Sequence, residues 1–520
     1  MRKKQVVSCL MAGALLFGTQ QVWAATANYN DSSLTGGAEA WNSYVQGWNG
    51  LANDFTYVSL TPGAAATELN FAWYNEGTTG TPTVYFGTDS QNLTEYTGTS
   101  NTVEASLTQG RQFCYNYVTV TGLQPNTTYY YSVNKSGVIT PVETYRTGSF
   151  DNVNILYFGD PQIGASKGQP QGEGMLSEDA GAANTAARND GFAWDRTLDI
   201  ALAQNPNINF AISAGDQVNK TGQPKEEEYA AYLSASALKS LPVATTIGNH
   251  DSLNPDYSYH FNNPNPTQMG KTQAGGDYYY NYGPGLFIVL NTNNYNVAEH
   301  EETIKQAVNA YPNVTWRVVT IHQDIYGSGL DHSDTDGMIL RTQLTPVFDR
   351  YDIDVVLQGH DHTYSRSKIL YGDGQTHNSY EFRLNEAGDD YDWDNAYNAQ
   401  TGEKIPLYPA EGDAAGAEAL GRFTKDNHCY TIESAGGTTV TDPQGTLYMT
   451  ANSASGSKYY ELINTQQDYI ANRSQNWLPS YSVINMTSRD FSITTYQITD
   501  SGSVETIDNT FTIHKTVGRA

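Results

Sequence analysis

Leu357-Gln-Gly-His360-Asp-His362-Thr-Tyr364-Ser-Arg366 decides how the rest of the chain is to be read. The run leading into it, Ile353-Asp-Val355-Val356-Leu357, has the apolar density of a buried strand, and Gly359 ends it. His360 and its successors then stand at a strand's C-terminal tip, where open α/β sheets place their ligands. Two histidines spaced i, i+2 in that turn offer two imidazoles, the commonest metal-binding side chains. An isolated His-x-His is as readily a pair of surface loop residues. Here four further strand tips precede it, and each carries a ligand-type residue.

In order these are Phe158-Gly159-Asp160-Pro161-Gln162, Ala214-Gly215-Asp216-Gln217-Val218-Asn219, Ile247-Gly248-Asn249-His250-Asp251 and Thr320-Ile321-His322-Gln323. Each follows an apolar run, and in the first three a glycine ahead of the ligand lets the backbone turn sharply beside it. One Gly-Asp is a common turn; five such tips in sequence are not a chance pattern. The metal ligands read from them are Asp160, Asp216, Asn249, His322, His360 and His362, with Gln162 as a seventh oxygen donor. Carboxylates mixed with imidazoles suit Fe, Zn or Mn rather than an all-oxygen calcium cage or a thiolate zinc site. Seven donors are too many for one such ion and fit two divalent or mixed-valence ions sharing a carboxylate. Two ions about 3.5–4 Å apart can hold a hydroxide between them and clamp the attacking and leaving oxygens of a displacement at phosphorus.

At 520 residues the chain exceeds one core, so two or more domains are expected. Residues 1–24 read as an export signal: Arg2, Lys3 and Lys4, then an apolar stretch from Val6 to Phe17, then Val22-Trp23-Ala24 as a cleavage site. A secreted or periplasmic protein is expected from that. No run reaches membrane-spanning length. Losing the three basic residues moves the formal net charge from −27 to −30, which argues against nucleic acid and anionic membranes as partners. A small phosphorylated substrate must then be attracted locally, by the metal ions. Cys114 and Cys429 remain; a disulfide and two separately buried thiols are both open readings.

Residues 25–52 are a polar, Gly-rich lead-in without a clear period. Residues 53–148 alternate in short strands divided by Pro62-Gly63, Gly77 and Gly87, the rhythm of a β-sandwich. Within them Leu123-Gln-Pro125-Asn-Thr127-Thr-Tyr129-Tyr-Tyr131 resembles the signature of fibronectin type III-like domains. From 150 to 515 apolar strands alternate with helical patterns at about 184–204, 225–240, 298–310 and 341–351, as in an α/β layer. Residues 367–440 interrupt it as a Gly-, Asp- and Tyr-rich insertion, read as surface structure, with a lid over the site as the alternative. The strands at 446–450, 481–486 and 490–496 are read together as the second sheet of a sandwich.

With its motif order Gly-Asp, Gly-Asp, Gly-Asn-His-Asp, His and Gly-His-x-His, the chain resembles the calcineurin-like metallophosphoesterases, and among them the purple acid phosphatases. The resemblance implies an αββα four-layer sandwich behind the fibronectin-like domain, and a dinuclear phosphoesterase acting on phosphate monoesters. By position, one metal would take Asp160, Asp216 and His362. The other would take Asp216, Asn249, His322 and His360. His250 would stabilise the transition state or protonate the leaving oxygen, Asp251 would orient it, and His332 would touch phosphate or donate a proton. Asp361 matches no ligand of the family, so its loss is expected to be mild. Two positions depart from the pattern. Asn219 stands where purple acid phosphatases carry the tyrosine that colours their iron, and Gln162 stands where related phosphoesterases carry histidine. Two rival readings accompany this one: a phosphodiesterase or nucleotidase, and a surface binding protein that has lost activity.

Overall fold

Along the strand Val153–Phe158 the two faces go to different cores: Val153, Ile155 and Tyr157 to one, Leu156 and Phe158 to another. A strand buried on both faces must lie inside a layered α/β fold, and the computed structural model shows that arrangement. It describes residues 37–517 except 167–184, 331, 334–336, 385, 387–391, 393 and 435–436. The export signal therefore lies outside the described residues, as do Asp331 and most of the acidic run 388–394.

Two seven-stranded sheets face each other among the described residues. The first runs Val243–Thr245, Phe210–Ser213, Val153–Phe158, Ser480–Met486, Asp490–Ile498, Val504–His514, Thr439–Thr441. The second runs Tyr278–Tyr282, Gly285–Val289, Trp316–Thr320, Val355–Gln358, Leu447–Thr450, Tyr364–Ser367, Ile470–Ser474. Between them Tyr157, Phe210, Phe287, Trp316, Leu357, Met449 and Phe491 form the central core. Helices Gly37–Ala52, Thr185–Gln204 and Glu226–Leu233 cover the outer face of the first sheet. Val297–Ala310 and Gly337–Arg350 cover that of the second. This is the expected four-layer αββα sandwich.

Central strands pair in parallel: Val153–Phe158 with Phe210–Ser213, and Trp316–Thr320 with Val355–Gln358. Their C-terminal tips consequently point the same way within each sheet. The strands read together at 446–496 separate, however. Leu447–Thr450 pairs in parallel with Val355–Gln358 in the second sheet, while Ser480–Met486 and Asp490–Ile498 extend the first. Alternation reveals that a strand is half-buried or buried, not which sheet it joins.

Residues 59–146 form a β-sandwich of a four- and a five-stranded sheet around Leu69, Phe71, Trp73, Val84, Val118 and Tyr131. Tyr129 accepts a bond from the Gln124 N–H at 2.7 Å, a tyrosine corner that explains the Leu-x-Pro-x-Thr-x-Tyr run. Ahead of it the lead-in forms the helix Gly37–Ala52, in which Trp41 and Trp48 are buried. Its glycines and asparagines disguise the period, so packing rather than propensity decides that segment.

The insertion is folded rather than loose: a three-stranded sheet (Tyr380–Glu381, Asn395–Asn398, Lys404–Pro406) and the helix Ala414–Asp426 enclose Tyr380, Ile405, Leu407 and Phe423. Asp413 caps that helix by accepting the Gly416 N–H at 2.9 Å. Cys114 and Cys429 are both buried and free, one in the sandwich and the other at the end of the insertion, so of the two readings the separate thiols hold. No helix among the described residues is long and apolar enough to cross a membrane.

Candidate metal centre

Strand tips bring the ligands together because the backbone bends sharply at several of them. Gln162, Asp216, His360 and His362 all have positive φ, at 36°, 45°, 70° and 45°. For residues with a Cβ this region costs energy, and such conformations gather at functional sites. Space is the second constraint. A Cβ on Gly248 would lie 2.0 Å from Asp216 Oδ1, and one on Gly215 would lie 2.2 Å from His322 Nδ1. No side chain fits at either position, so the glycines of the motifs serve close approach.

Donor atoms of Asp216, His322 and His360 all lie within 4.8 Å of one another, buried. Asn249 Oδ1 is 3.0 Å from His322 Nε2, and Asp216 Oδ2 is 3.5 Å from it. Alongside, His362 Nε2 stands 3.2 Å from Asp160 Oδ2. Backbone groups fix which oxygen faces inward. Asp160 Oδ1 accepts the His360 N–H and Asp216 Oδ1 accepts the His250 N–H, each at 2.9 Å. The histidines are oriented likewise: His322 Nδ1 donates to the Ala214 carbonyl and His362 Nδ1 to that of Lys458, each at 2.8 Å. Both Nε2 lone pairs are thereby directed at the carboxylates, as in metal-binding histidines, where a hydrogen bond to one ring nitrogen aims the other at the ion.

The result is a buried cluster in which electron-pair donors face one another. Asp160 Oδ2 and Gln162 Oε1 are buried without a hydrogen-bond partner. Burial would lower the His322 pKa, but the carboxylates of Asp216 and Asp160 outweigh it and lift it to about 9. A bound cation takes the place of such a proton. The donor set thus fits metal ions: Asp216, Asn249, His322 and His360 on one side, Asp160 and His362 on the other, with the Gln162 amide oxygen held in the same interior.

His250 stands at the edge, its side chain about 21% exposed, with Nε2 3.9 Å from Asp216 Oδ2. Its Nδ1 bonds the Asn219 carbonyl. Asp251, expected to orient it, makes no hydrogen bond to the His250 ring. Asp251 is fully buried and accepts from the Gly248 N–H at 3.0 Å, the Gln217 N–H at 3.3 Å and the Tyr229 hydroxyl at 3.4 Å. It ties the second motif to the third, one residue being enough to turn its side chain away from His250. Burial, reinforced by the Asp216 charge, raises its pKa to about 7. His332 stacks on His360 with ring centroids 3.8 Å apart, so it does lie over the cluster.

Sequence patterns did not reveal the part played by three groups. Lys225, fully buried, donates to the His250 carbonyl at 2.7 Å. Asp361 is no bystander: it is fully buried, and Oδ2 accepts the Gly329 N–H at 2.9 Å and the Ser333 hydroxyl, anchoring the turn that carries His332. The third is a sixth strand tip, after Leu447–Thr450. There the Ala454 N–H donates to the Asp160 carbonyl at 3.1 Å, and Lys458 supplies the carbonyl for His362. Its residues Ala451-Asn-Ser-Ala-Ser-Gly-Ser457 include none of the predicted ligands, so nothing in the pattern marked it.

Two stretches of the chain match known protein families. Residues 153–364 match the calcineurin-like phosphoesterase family, and residues 56–147 match the purple acid phosphatase N-terminal domain. The chain carries a calcineurin-like metallophosphoesterase domain behind a purple acid phosphatase-type N-terminal domain. A purple acid phosphatase from yellow lupin seeds superposes with a TM-score of 0.56 at 13% identity, over 88% of this chain and 74% of that one. A structure of PhoD superposes with a TM-score of 0.51 at 11% identity, over 90% and 94%. At such identities the likeness is one of fold. Two uncharacterized proteins of Mycobacterium tuberculosis, strains CDC 1551 and H37Rv, are each 22% identical over 333 residues. That match covers 59% of this chain and 61% of theirs, under two thirds of those relatives' length.

Proposed function

We propose that the protein is an exported phosphoric ester hydrolase, acid phosphatase-like, that cleaves phosphate monoesters at a dinuclear metal centre. The observation that supports this most is the buried cluster of mutually facing donors, Asp216, His322 and His360 within 4.8 Å, beside the Asp160–His362 pair. Asp160, Asp216 and His362 would hold one ion, and Asp216, Asn249, His322 and His360 the other, with Gln162 Oε1 available as a neutral donor. Bound there, the ions supply Lewis-acid charge and the activated water of the hydrolysis.

The remaining work falls to the chain. His250 is the catalytic acid–base candidate: with Nδ1 on the Asn219 carbonyl, Nε2 is turned toward the cluster at the edge that substrate reaches. Its charged form can hand the Nε2 proton to the leaving oxygen, and its neutral form can take one up. His332, stacked on His360, would touch phosphate or donate a proton. Asp251 and Lys225 act through the backbone, one on Gly248 and the other on the His250 carbonyl, and so hold the imidazole in register.

Turnover of p-nitrophenyl phosphate and its bis ester by the metal-loaded protein tests the reading. Monoester hydrolysis that a chelator abolishes and added metal restores is expected. A strong preference for the bis ester makes the protein a phosphodiesterase. No turnover of either ester overturns the proposal.

A further inference from the structure

The loop after Leu447–Thr450 does more than supply a carbonyl. Its residues 454–457 are packed onto the first motif: the Ser455 and Ser457 hydroxyls donate to the Pro161 carbonyl at 2.5 and 3.3 Å. Three residues beyond Ser455 the backbone of Lys458 is fixed by His362, whose Nδ1–H it accepts at 2.8 Å. Lys458 Nζ then lies 4.5 Å from the centroid of the Tyr460 ring, and its ammonium is held there by the ring face. That same ring meets His362 edge-on at 5.4 Å and His332 edge-on at 5.6 Å. Tyr460 thus forms a wall of the metal centre with a cation resting on it.

Lys458 is thus tied to the site twice, by its carbonyl on His362 and by its ammonium on the ring that meets both His362 and His332. Lys458 itself is half-buried. It offers a local positive group in a chain whose formal net charge is −27, which is what an anionic substrate requires.

We propose that Lys458, resting on Tyr460, contacts the phosphoryl oxygens of the substrate and favours doubly charged phosphate monoesters over singly charged diesters. This inference rests on phosphoester hydrolysis at the metal centre. A monoester presents three terminal oxygens. Metal ions and the attacking water engage one side of the phosphorus, which leaves an outward oxygen for an ammonium at the mouth. A diester has that oxygen alkylated and gains less from the charge.

The test uses Lys458→Gln and Lys458→Arg in the metal-loaded full chain, because both keep the backbone carbonyl that orients His362. Inorganic phosphate binding is followed by calorimetry, and kcat and KM are measured for p-nitrophenyl phosphate and its bis ester. Loss of a hydrogen bond to a charged group should weaken phosphate binding by about tenfold or more in Lys458→Gln. The KM of the monoester should rise more than that of the diester, with metal content unchanged and Lys458→Arg recovering most of the loss. Phosphate affinity equal to wild type in Lys458→Gln overturns the inference. So does an equal loss on both esters, which marks a structural role. If wild type turns over neither ester, phosphoester hydrolysis fails, whereas phosphate affinity still reports on Lys458.

Discussion

Asp361 lies between His360 and His362 in sequence, with its carboxylate buried. Its neighbours there are the Ser333 hydroxyl and the Gly329 N–H, and Asp324 accepts from the same Ser333 hydroxyl at 3.0 Å. Removing the carboxylate takes one acceptor each from the Gly329 N–H and the Ser333 hydroxyl, which keep Ser333 Oγ and Asp324, at about 0.5–1.5 kcal/mol for each bond lost. Asp361→Ala should therefore lower the melting temperature and reduce kcat as the turn bearing His332 loosens. Calorimetry and steady-state kinetics check this; a variant with wild-type melting and kcat would mean the turn needs no anchor. The mild effect expected from sequence gives way to this larger one because a motif identifies which residues can ligate, not which side of a turn an unassigned carboxylate faces. The ligand types were legible, since hard and borderline donors after apolar runs have few other uses. The Asn219 carbonyl that turns His250 was not, because backbone groups leave no mark on composition.

Elements carry the site by bringing tips to one level, and two devices at that scale can be tested. At Gly248 a methyl group would collide with Asp216 Oδ1 and, at 2.2 Å, with its backbone nitrogen. Gly248→Ala should fold yet bind metal poorly, since Asp216 cannot retreat from a fully packed interior. Metal content near wild type would contradict this. The second device is Glu228, on the helix Glu226–Leu233. Its Oε2 accepts the N–H groups of Asn219 and Lys220 at 2.9 and 2.8 Å, tying helix to tip. Burial, only partly offset by the Lys220 N–H and charge, pushes its pKa from 4.5 up to about 7. Between those values the native chain holds a proton that the unfolded chain has released. Stability from this group is full below pH 4.5 and is lost as pH rises through 7. The urea midpoint of wild type minus that of Glu228→Gln should fall across this window; a rising difference would refute the assignment. Strand and helix order was readable because parallel βα units impose it. The partition of the last strands between sheets, and the helix Gly37–Ala52, were set by tertiary contacts that no local period records.

The whole molecule joins its two domains by a buried polar contact close to the site. Tyr74 of the β-sandwich donates to Glu226 Oε1 at 3.1 Å, Glu226 Oε2 is 2.9 Å from His260 Nε2, and the rings of Tyr74 and His260 stack at 4.4 Å. Glu226 adjoins Lys225, which holds the His250 carbonyl. Depriving buried donors of their acceptor costs about 1–3 kcal/mol each, so Glu226→Ala should melt below wild type in a thermal scan. An unchanged melt would show that the domains do not depend on this contact. The two-domain plan was visible in the change from short alternating strands to βα units, whereas the seam depends on side chains far apart in sequence. The proposed chemistry requires five strand tips to build one site for two metal ions. Metal content of the purified chain beside that of Asp216→Ala, determined by mass spectrometry after dialysis, tests this without reference to any substrate. About two ions per wild-type chain are expected, with loss of binding in the variant. A wild type that retains at most one ion, or a variant that keeps both, would contradict the shared site.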